Sequence, residues 1–368
     1  MESISGNRLT YLDNVRTVMT LLVVVVHSAI TFGSEGGWYF QEATDNLLVV
    51  VPLTLISAVS QSFFMSLLFF VSAFFTPKSF DRKGAARFVV DRAKRLGTPF
   101  LAFFLGLGPL TILLSDRFLD RVEFSYRQSI HAGPLWFVQA LMIFTGIYVV
   151  VRLVSPKMNK TGHSNSAPGI RFLAWIGVIL ASLTFLARWV YPIGTGIAGM
   201  QIGSFPQYIL MFVLGVCAQR RNWLDNLESV RLGRLGAMLG LMILALPVAM
   251  FLGSDPDSGF EFFLGGPYWQ ALFYAVWESV MCIAMSLFFL TFFKRRLNRS
   301  SKLSTEASGA AFGIYIMHPP VLIALTIVLA NFRSGPMLKF ALLASLGIAL
   351  TFVIASSVRR VPVVNKVI

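Results

Sequence analysis

The chain has 368 residues, of which 56% are hydrophobic and only 13% charged, with a mean hydropathy of +0.71. Soluble domains carry about a quarter charged residues, so a soluble fold is excluded and a bilayer must replace water around most of the chain. The net charge of +14 does not argue for nucleic acid, because the basic residues sit in short loops between apolar runs, where membrane topology places them.

A membrane-crossing helix needs roughly 20 mostly apolar residues. Ten segments qualify, at about 17–33, 47–75, 97–115, 134–154, 172–190, 203–219, 235–252, 268–293, 309–330 and 337–358. They predict an all-α fold: a polytopic membrane helix bundle of about ten transmembrane helices, forming one membrane-embedded domain over residues 1–368. The first run has no small-residue cleavage site and reads as a retained helix rather than a signal peptide. The second is long enough to need tilt, or a kink near Pro52. An even number of spans puts both termini on one side. With that side cytoplasmic, the inner segments hold 25 of the 31 Lys and Arg residues, as the positive-inside rule requires. Glu35, Glu42, Asp45, Asp255, Asp257 and Glu261 then fall outside. A multi-pass protein of the inner or plasma membrane is expected. No repeat or appended soluble domain is visible, and the longest loops, including "NKTGHSNSAPG", run to about 20 residues.

Polar side chains are expensive in hydrocarbon, so each one inside a span is a functional hypothesis. In "RTVMTLLVVVVH", Arg16 and His27 are eleven residues apart, about 16 Å along a helix and within about 20° of the same face. Arg16 is expected at the inner interface and His27 near mid-membrane, with Thr20 between them. The bland alternative makes Arg16 a topogenic anchor and His27 a helix-packing residue. In "TPKSFDRKGAARFVVDRAKRLGTPF", Arg92 and Arg95 are expected one turn apart at the start of the third span, where paired guanidiniums suit phosphates. Simple topogenic charge explains most of that loop equally well. Gln61 is central in the second span, and Gln139 in "PLWFVQAL" lies nearer the outer face. Glu278 in "AVWESVM" is the acidic residue of the eighth span. His318 in "GIYIMHPP" is followed by Pro319 and Pro320, which should disturb the helix and free carbonyls. A neutral histidine with a carboxylate at similar depth can take a proton from a hydroxyl, because the carboxylate stabilises the imidazolium. Whether Glu278 faces His27 is open. Cys217 and Cys282 lie within apolar runs and suggest neither a disulfide nor a metal site.

Together these stretches resemble the acyltransferase 3 family of integral-membrane acyltransferases. "YLDNVRTVMTLLVVVVH" is similar to its first helix, a basic residue and a histidine separated by ten positions, matched by Arg16 and His27. "FFVSAFF" and "DRAKRLGTPF" resemble the end of its second helix and the Arg-x-x-Arg start of the third, matched by Arg92 and Arg95. "GPLWFVQALMIF" resembles its Trp-Phe segment through Trp136 and Phe137, and "LSTEASGAAFGIYIMHPP" its Tyr-x-x-His segment through Tyr315 and His318. Two features depart from the pattern: Ala73 stands where a glycine is common, and the extracytoplasmic hydrolase-like domain of some members is missing.

The resemblance implies transfer of an acyl group, acetyl or succinyl, from an acyl-CoA donor to a hydroxyl of an envelope or extracytoplasmic carbohydrate, with a layout somewhat like that of the glucan-modifying branch. His27, Glu278 and His318 are then the expected catalytic residues. Arg16, Arg92 and Arg95 are expected to bind the coenzyme, and Trp136, Gln139 and Tyr315 the acceptor. The implied partners are the lipid bilayer, acyl-CoA and a glycan, with no nucleic acid and no metal; a homo-oligomer is left open. A proton-coupled secondary transporter or exporter is the competing reading, since intramembrane His, Glu and Arg also mark proton pathways. A membrane scaffold is a third, and leaves the Arg16–His27 alignment unexplained.

Overall fold

The structure is a computed structural model that describes residues 9–119, 124–155, 168–254 and 259–362. Asp255, Asp257 and most of the stretch 159–169 lie outside the described residues. Among the described residues, ten helices are long and apolar enough to cross a membrane: α1 Thr10–Thr31, α2 Leu47–Lys83, α3 Ala85–Leu119, α4 Trp136–Val154, α5 Ile170–Val190, α6 Phe205–Arg220, α7 Leu232–Gly253, α8 Trp269–Arg296, α9 Lys302–Ala330 and α10 Pro336–Arg359. This is the all-α bundle of ten expected spans, and the protein is a multi-pass membrane protein.

Burial separates interior from peripheral helices. The most apolar stretches of α1, α8 and α9 are 61%, 61% and 56% buried, against 11% for α7. Because hydrocarbon is as apolar as leucine, an outward apolar face such as Leu241, Leu244 and Phe251 of α7 carries no penalty. Close contact inside the bundle therefore depends on small residues. A Cβ on Gly215 of α6 would lie 2.3 Å from the Phe70 carbonyl oxygen and 2.8 Å from the Ala73 Cβ of α2. Ala73, the residue that departs from the family pattern, is thus seated against a glycine on the facing helix. Likewise Gly347 of α10 lets Leu322 of α9 and Val24 of α1 come together.

Three expectations change. First, α1 begins at Thr10 rather than near 17, because Tyr11, Leu12 and Val15 are fully packed into the core. His27 is therefore not midway along its helix: it lies four residues, about 6 Å, before the end. Second, α9 runs unbroken through Pro319 and Pro320, so the two prolines do not interrupt it. Third, α3 contains two five-residue π segments, Ala93–Gly97 and Phe103–Leu107. The wider turn begins directly after Arg92, so Arg92 and Arg95 are not spaced by a plain α-helical turn. Such π segments are rare and concentrate at functional sites.

The α2–α6 contact is open to a direct test. Gly215→Ala is expected to cost about 1–3 kcal/mol by overpacking. Gly146→Ala, where an added Cβ meets nothing, is expected to be neutral. Thermal unfolding in detergent checks the pair, and equal midpoints would disprove the close contact.

Candidate active site

The last turns of α1, the loop after it and the middle of α9 converge on three near-parallel rings. His27 and His318 stand 5.1 Å apart between centroids at 12°. Trp38, from the loop between α1 and α2, stacks on His27 at 3.9 Å and 19° and lies 6.0 Å from His318. Tyr39 meets the edge of Trp38 at 4.9 Å, and His131 lies 6.5 Å from Tyr39. Three of the four histidines in the chain thus gather at one place.

The loop is fixed there by directed contacts. Ser34 donates to Ser57 at 2.7 Å, the Glu35 amide to Thr54 at 3.1 Å, and the Glu42 amide to the Thr31 carbonyl at 2.8 Å. Ser115 of α3 donates to the Tyr39 carbonyl at 2.9 Å. Buried Lys339 of α10 donates to both Glu42 carboxylate oxygens, at 3.1 and 2.9 Å. At Gly133, φ is +48° and a Cβ would lie 2.6 Å from the Tyr39 hydroxyl, so a side chain there would both strain the backbone and push Tyr39 away.

Four buried polar atoms here have no hydrogen-bond partner among the described residues: His27 Nδ1, Trp38 Nε1, the Tyr39 hydroxyl and His318 Nε2. Such atoms are costly in an apolar setting and mark places where a ligand's oxygens would be welcome. Burial pushes the Tyr39 phenol well above its ordinary pKa, so at neutral pH it is a hydrogen-bond donor.

Tyr315 and His318 sit on one face of α9, with ring centroids 5.7 Å apart. The Tyr315 hydroxyl donates to the Pro134 carbonyl, which ties α9 to the turn leading into α4. Trp136 and Gln139 continue from that turn, both partly buried. Trp136 packs 5.2 Å from Tyr208, and Phe137 meets Tyr315 at 6.0 Å.

A family profile described as an acyltransferase domain matches residues 9–356. The chain belongs to the acyltransferase 3 family. It is similar to glucans biosynthesis protein C of Salmonella gallinarum (strain 287/91 / NCTC 13346), 24% identical over 375 residues that cover 95% of this chain and 92% of that protein. Proteins of the same name from Salmonella heidelberg (strain SL476) and Salmonella agona (strain SL483) are 24% and 23% identical over the same shares. The protein is therefore a membrane O-acyltransferase.

The remaining expected site residues of this acyltransferase lie elsewhere. Glu278 is paired not with either histidine but with Arg188 of α5, Nη2 to Oε2 at 2.5 Å, with the two side chains 8% and 1% exposed. The Arg188 guanidinium also lies over the Tyr274 ring at 5.5 Å. Arg16 donates to Asp13 and to the Ser308 carbonyl of α9, both at 3.3 Å. Arg92 is half-buried, lies over the Phe88 ring at 5.3 Å and reaches Thr76 at 3.5 Å; Arg95 is exposed and remains within electrostatic reach of it. Gln61 is exposed on α2, whereas Gln207 of α6 is buried and donates to the Ser62 carbonyl and the Ser66 hydroxyl at 2.6 and 2.7 Å. Asp81 joins Arg152 at 2.9 Å and Arg220 at 2.7 Å, linking α2, α4 and α6. The two cysteines are free.

Trp38, Tyr39, His131, Arg188 and the Asp81 cluster were not anticipated. Arg188 carried a usable signal, because a cation near the end of an apolar run obeys the same cost rule as Glu278. Next to the end of a span, however, it reads as an interface anchor.

Removing one partner of a buried ion pair leaves an uncompensated charge, costing about 3–5 kcal/mol, while replacing both by apolar groups is often neutral. Glu278→Met and Arg188→Met are each expected to lose most folded protein, and the double variant to recover it. Detergent-extracted yield and thermal midpoint check this. A double variant no better than the singles would show that the pair does not act as a unit.

Proposed function

We propose that this acyltransferase moves an acetyl or succinyl group from cytosolic acyl-CoA to a hydroxyl of an envelope carbohydrate. The observation that carries the reading is the buried pair His27–His318, 5.1 Å apart, surrounded by unpartnered polar atoms. A neutral imidazole there takes the proton of the acceptor hydroxyl as its oxygen bonds to the thioester carbonyl carbon. The carbon–sulfur bond then breaks, and the leaving thiolate takes the proton back from the imidazolium, so the protein ends unchanged. The Glu278 carboxylate, engaged by Arg188, buttresses the bundle in this reading rather than facing the base. The relatives' name, glucans biosynthesis protein C, supports a glucan as acceptor class.

The coenzyme's phosphates are held at the opposite end of the bundle, by Arg92 and Arg95 with help from Arg16. A groove of about 430 Å³ beside them is lined by Lys83, Ala86, Arg87, Val90 and Asp91, and its basic groups suit phosphate. From there the thin pantetheine arm reaches along α1 toward His27. The acceptor arrives from the other side, past Trp38 and the turn that carries Trp136, with Gln139 and Tyr315 beyond it. The excess of basic residues at the Arg16 side supports placing that side in the cytoplasm.

Two outcomes test this reading. His27→Ala is expected to remove transfer while the folded protein stays in the membrane. Losing a general base costs about 10²–10⁴-fold, so activity above about a tenth of wild type would exclude the role. Ala at Arg92 or Arg95 is expected to weaken acyl-CoA binding, with Lys restoring only part, since an ammonium lacks the guanidinium fork. Unchanged affinity in both Ala variants would return the pair to simple topogenic charge.

A further inference from the structure

We propose that Pro319 is a positioning residue, which fixes the tautomer of His318 and leaves its Nε2 lone pair free to accept a proton. This rests on the acyl-transfer reading above and deepens it. In an α-helix the carbonyl of residue i accepts from the amide of residue i+4. The amide that would serve the Tyr315 carbonyl belongs to residue 319, and proline has no N–H. α9 nevertheless continues as helix through this position, so the Tyr315 carbonyl is left without its backbone donor inside an apolar bundle.

The group that takes it up is the His318 ring, whose Nδ1 lies 2.6 Å from that oxygen. A carbonyl oxygen only accepts, so Nδ1 must carry the hydrogen. In a neutral imidazole the other nitrogen then bears the lone pair. That nitrogen, Nε2, is buried with no hydrogen-bond partner among the described residues, in a ring that is 0% exposed and parallel to His27. The missing N–H of Pro319 thus does for His318 what a carboxylate does in a Ser-His-Asp triad, holding one tautomer and one ring orientation.

Pro320 makes the comparison sharp. Its own missing N–H frees the carbonyl of Ile316, whereas the His318 ring is bonded to the Tyr315 carbonyl, with that of Ile314 also within reach. Replacing Pro320 removes a helix proline without restoring the amide that competes for the Tyr315 carbonyl.

The experiment uses full-length protein in detergent with ¹⁵N-labelled histidine, and reads ring-nitrogen shifts at a pH where the imidazole is neutral. Loss of a signal in His318→Gln assigns it. Wild type is expected to carry the proton on Nδ1, and Pro319→Ala to show a growing population protonated on Nε2. In steady-state transfer, Pro319→Ala is expected to lower kcat about 10-fold or more with little change in KM, the range typical of losing a supporting hydrogen bond behind a working histidine. Its thermal midpoint is expected to be unchanged or higher. Pro320→Ala is expected to keep wild-type tautomer and kcat. A wild-type His318 protonated on Nε2, a Pro319→Ala kcat within twofold of wild type, or an equal fall in Pro320→Ala would each overturn the proposal. The tautomer reading needs no substrate, so it decides the proposal even where acyl transfer to a carbohydrate fails to be detected.

Discussion

The site exists because α1 lies against α9. His27 lies near the end of one helix and His318 in the middle of the other, 291 positions apart in the chain numbering and 5.1 Å apart in space. Gly347 of α10 lets Val24 and Leu322 close behind them, three residues before His27 and four after His318. Arg16 repeats the connection lower down, through the Ser308 carbonyl. Any change that slid α9 by one turn, about 5.4 Å, would separate the two imidazoles by more than their present spacing. The loop with Trp38 and Tyr39 then has somewhere to dock: one indole face is satisfied by His27, and Lys339 holds the loop's far end through Glu42.

The rest of the bundle shows how expensive groups are handled away from the site. Arg188 and Glu278 neutralise each other's charge across α5 and α8. Asp81 gathers two guanidiniums where α2, α4 and α6 meet, and the Arg152 guanidinium also lies over the Phe80 ring at 5.0 Å. Hydrogen-bonding side chains in the spans turn back on their own helices, as Ser28 does to the Val24 carbonyl and Thr326 to Leu322, both at 2.8 Å. The site differs in bringing unpartnered nitrogens of His27, Trp38 and His318 together in one place. Stability alone would have paired them.

The ten spans were legible because twenty apolar residues in a row have few other uses, and four short motifs pointed to the family that the match over residues 9–356 establishes. His27 and His318 could be singled out because a polar group in an apolar run is conspicuous, and Tyr315 through the resemblance to the family's Tyr-x-x-His segment. Trp38 could not: in "GGWYF" an aromatic residue in a glycine-rich loop costs nothing, and only the fold reveals that the loop turns inward. The pairing of Glu278 was hidden for a different reason. Its partner is 90 positions away on α5, and pattern along one helix says nothing about which helix lies opposite. The π segments of α3 were equally invisible, since "AKRLG" and "FFLGL" fit ordinary helix as well as a widened turn. Pro319 was expected to disturb the helix and free a carbonyl, on the sound rule that proline removes a donor. The rule held, but the vacancy was filled by the neighbouring side chain instead of by a kink.

The depth of His27 follows from the same economy. From Thr10 to His27 is 17 residues, about 26 Å at 1.5 Å per residue, of a hydrocarbon core roughly 30 Å thick. The histidine pair therefore lies close to the loop end of α1 rather than midway. In the proposed reaction the two substrates differ greatly in what burial costs them. A carbohydrate carries a hydroxyl on most carbons, and each one taken from water without a partner costs about 1–3 kcal/mol. The thioester end of a pantetheine arm is slender and far less polar, while the phosphates that would be costly to bury stay among the arginines at the other end. A site near the acceptor's side makes the cheap group travel and lets the expensive one stay near water. The unpartnered Trp38, Tyr39, His27 and His318 atoms then meet the few hydroxyls that do enter.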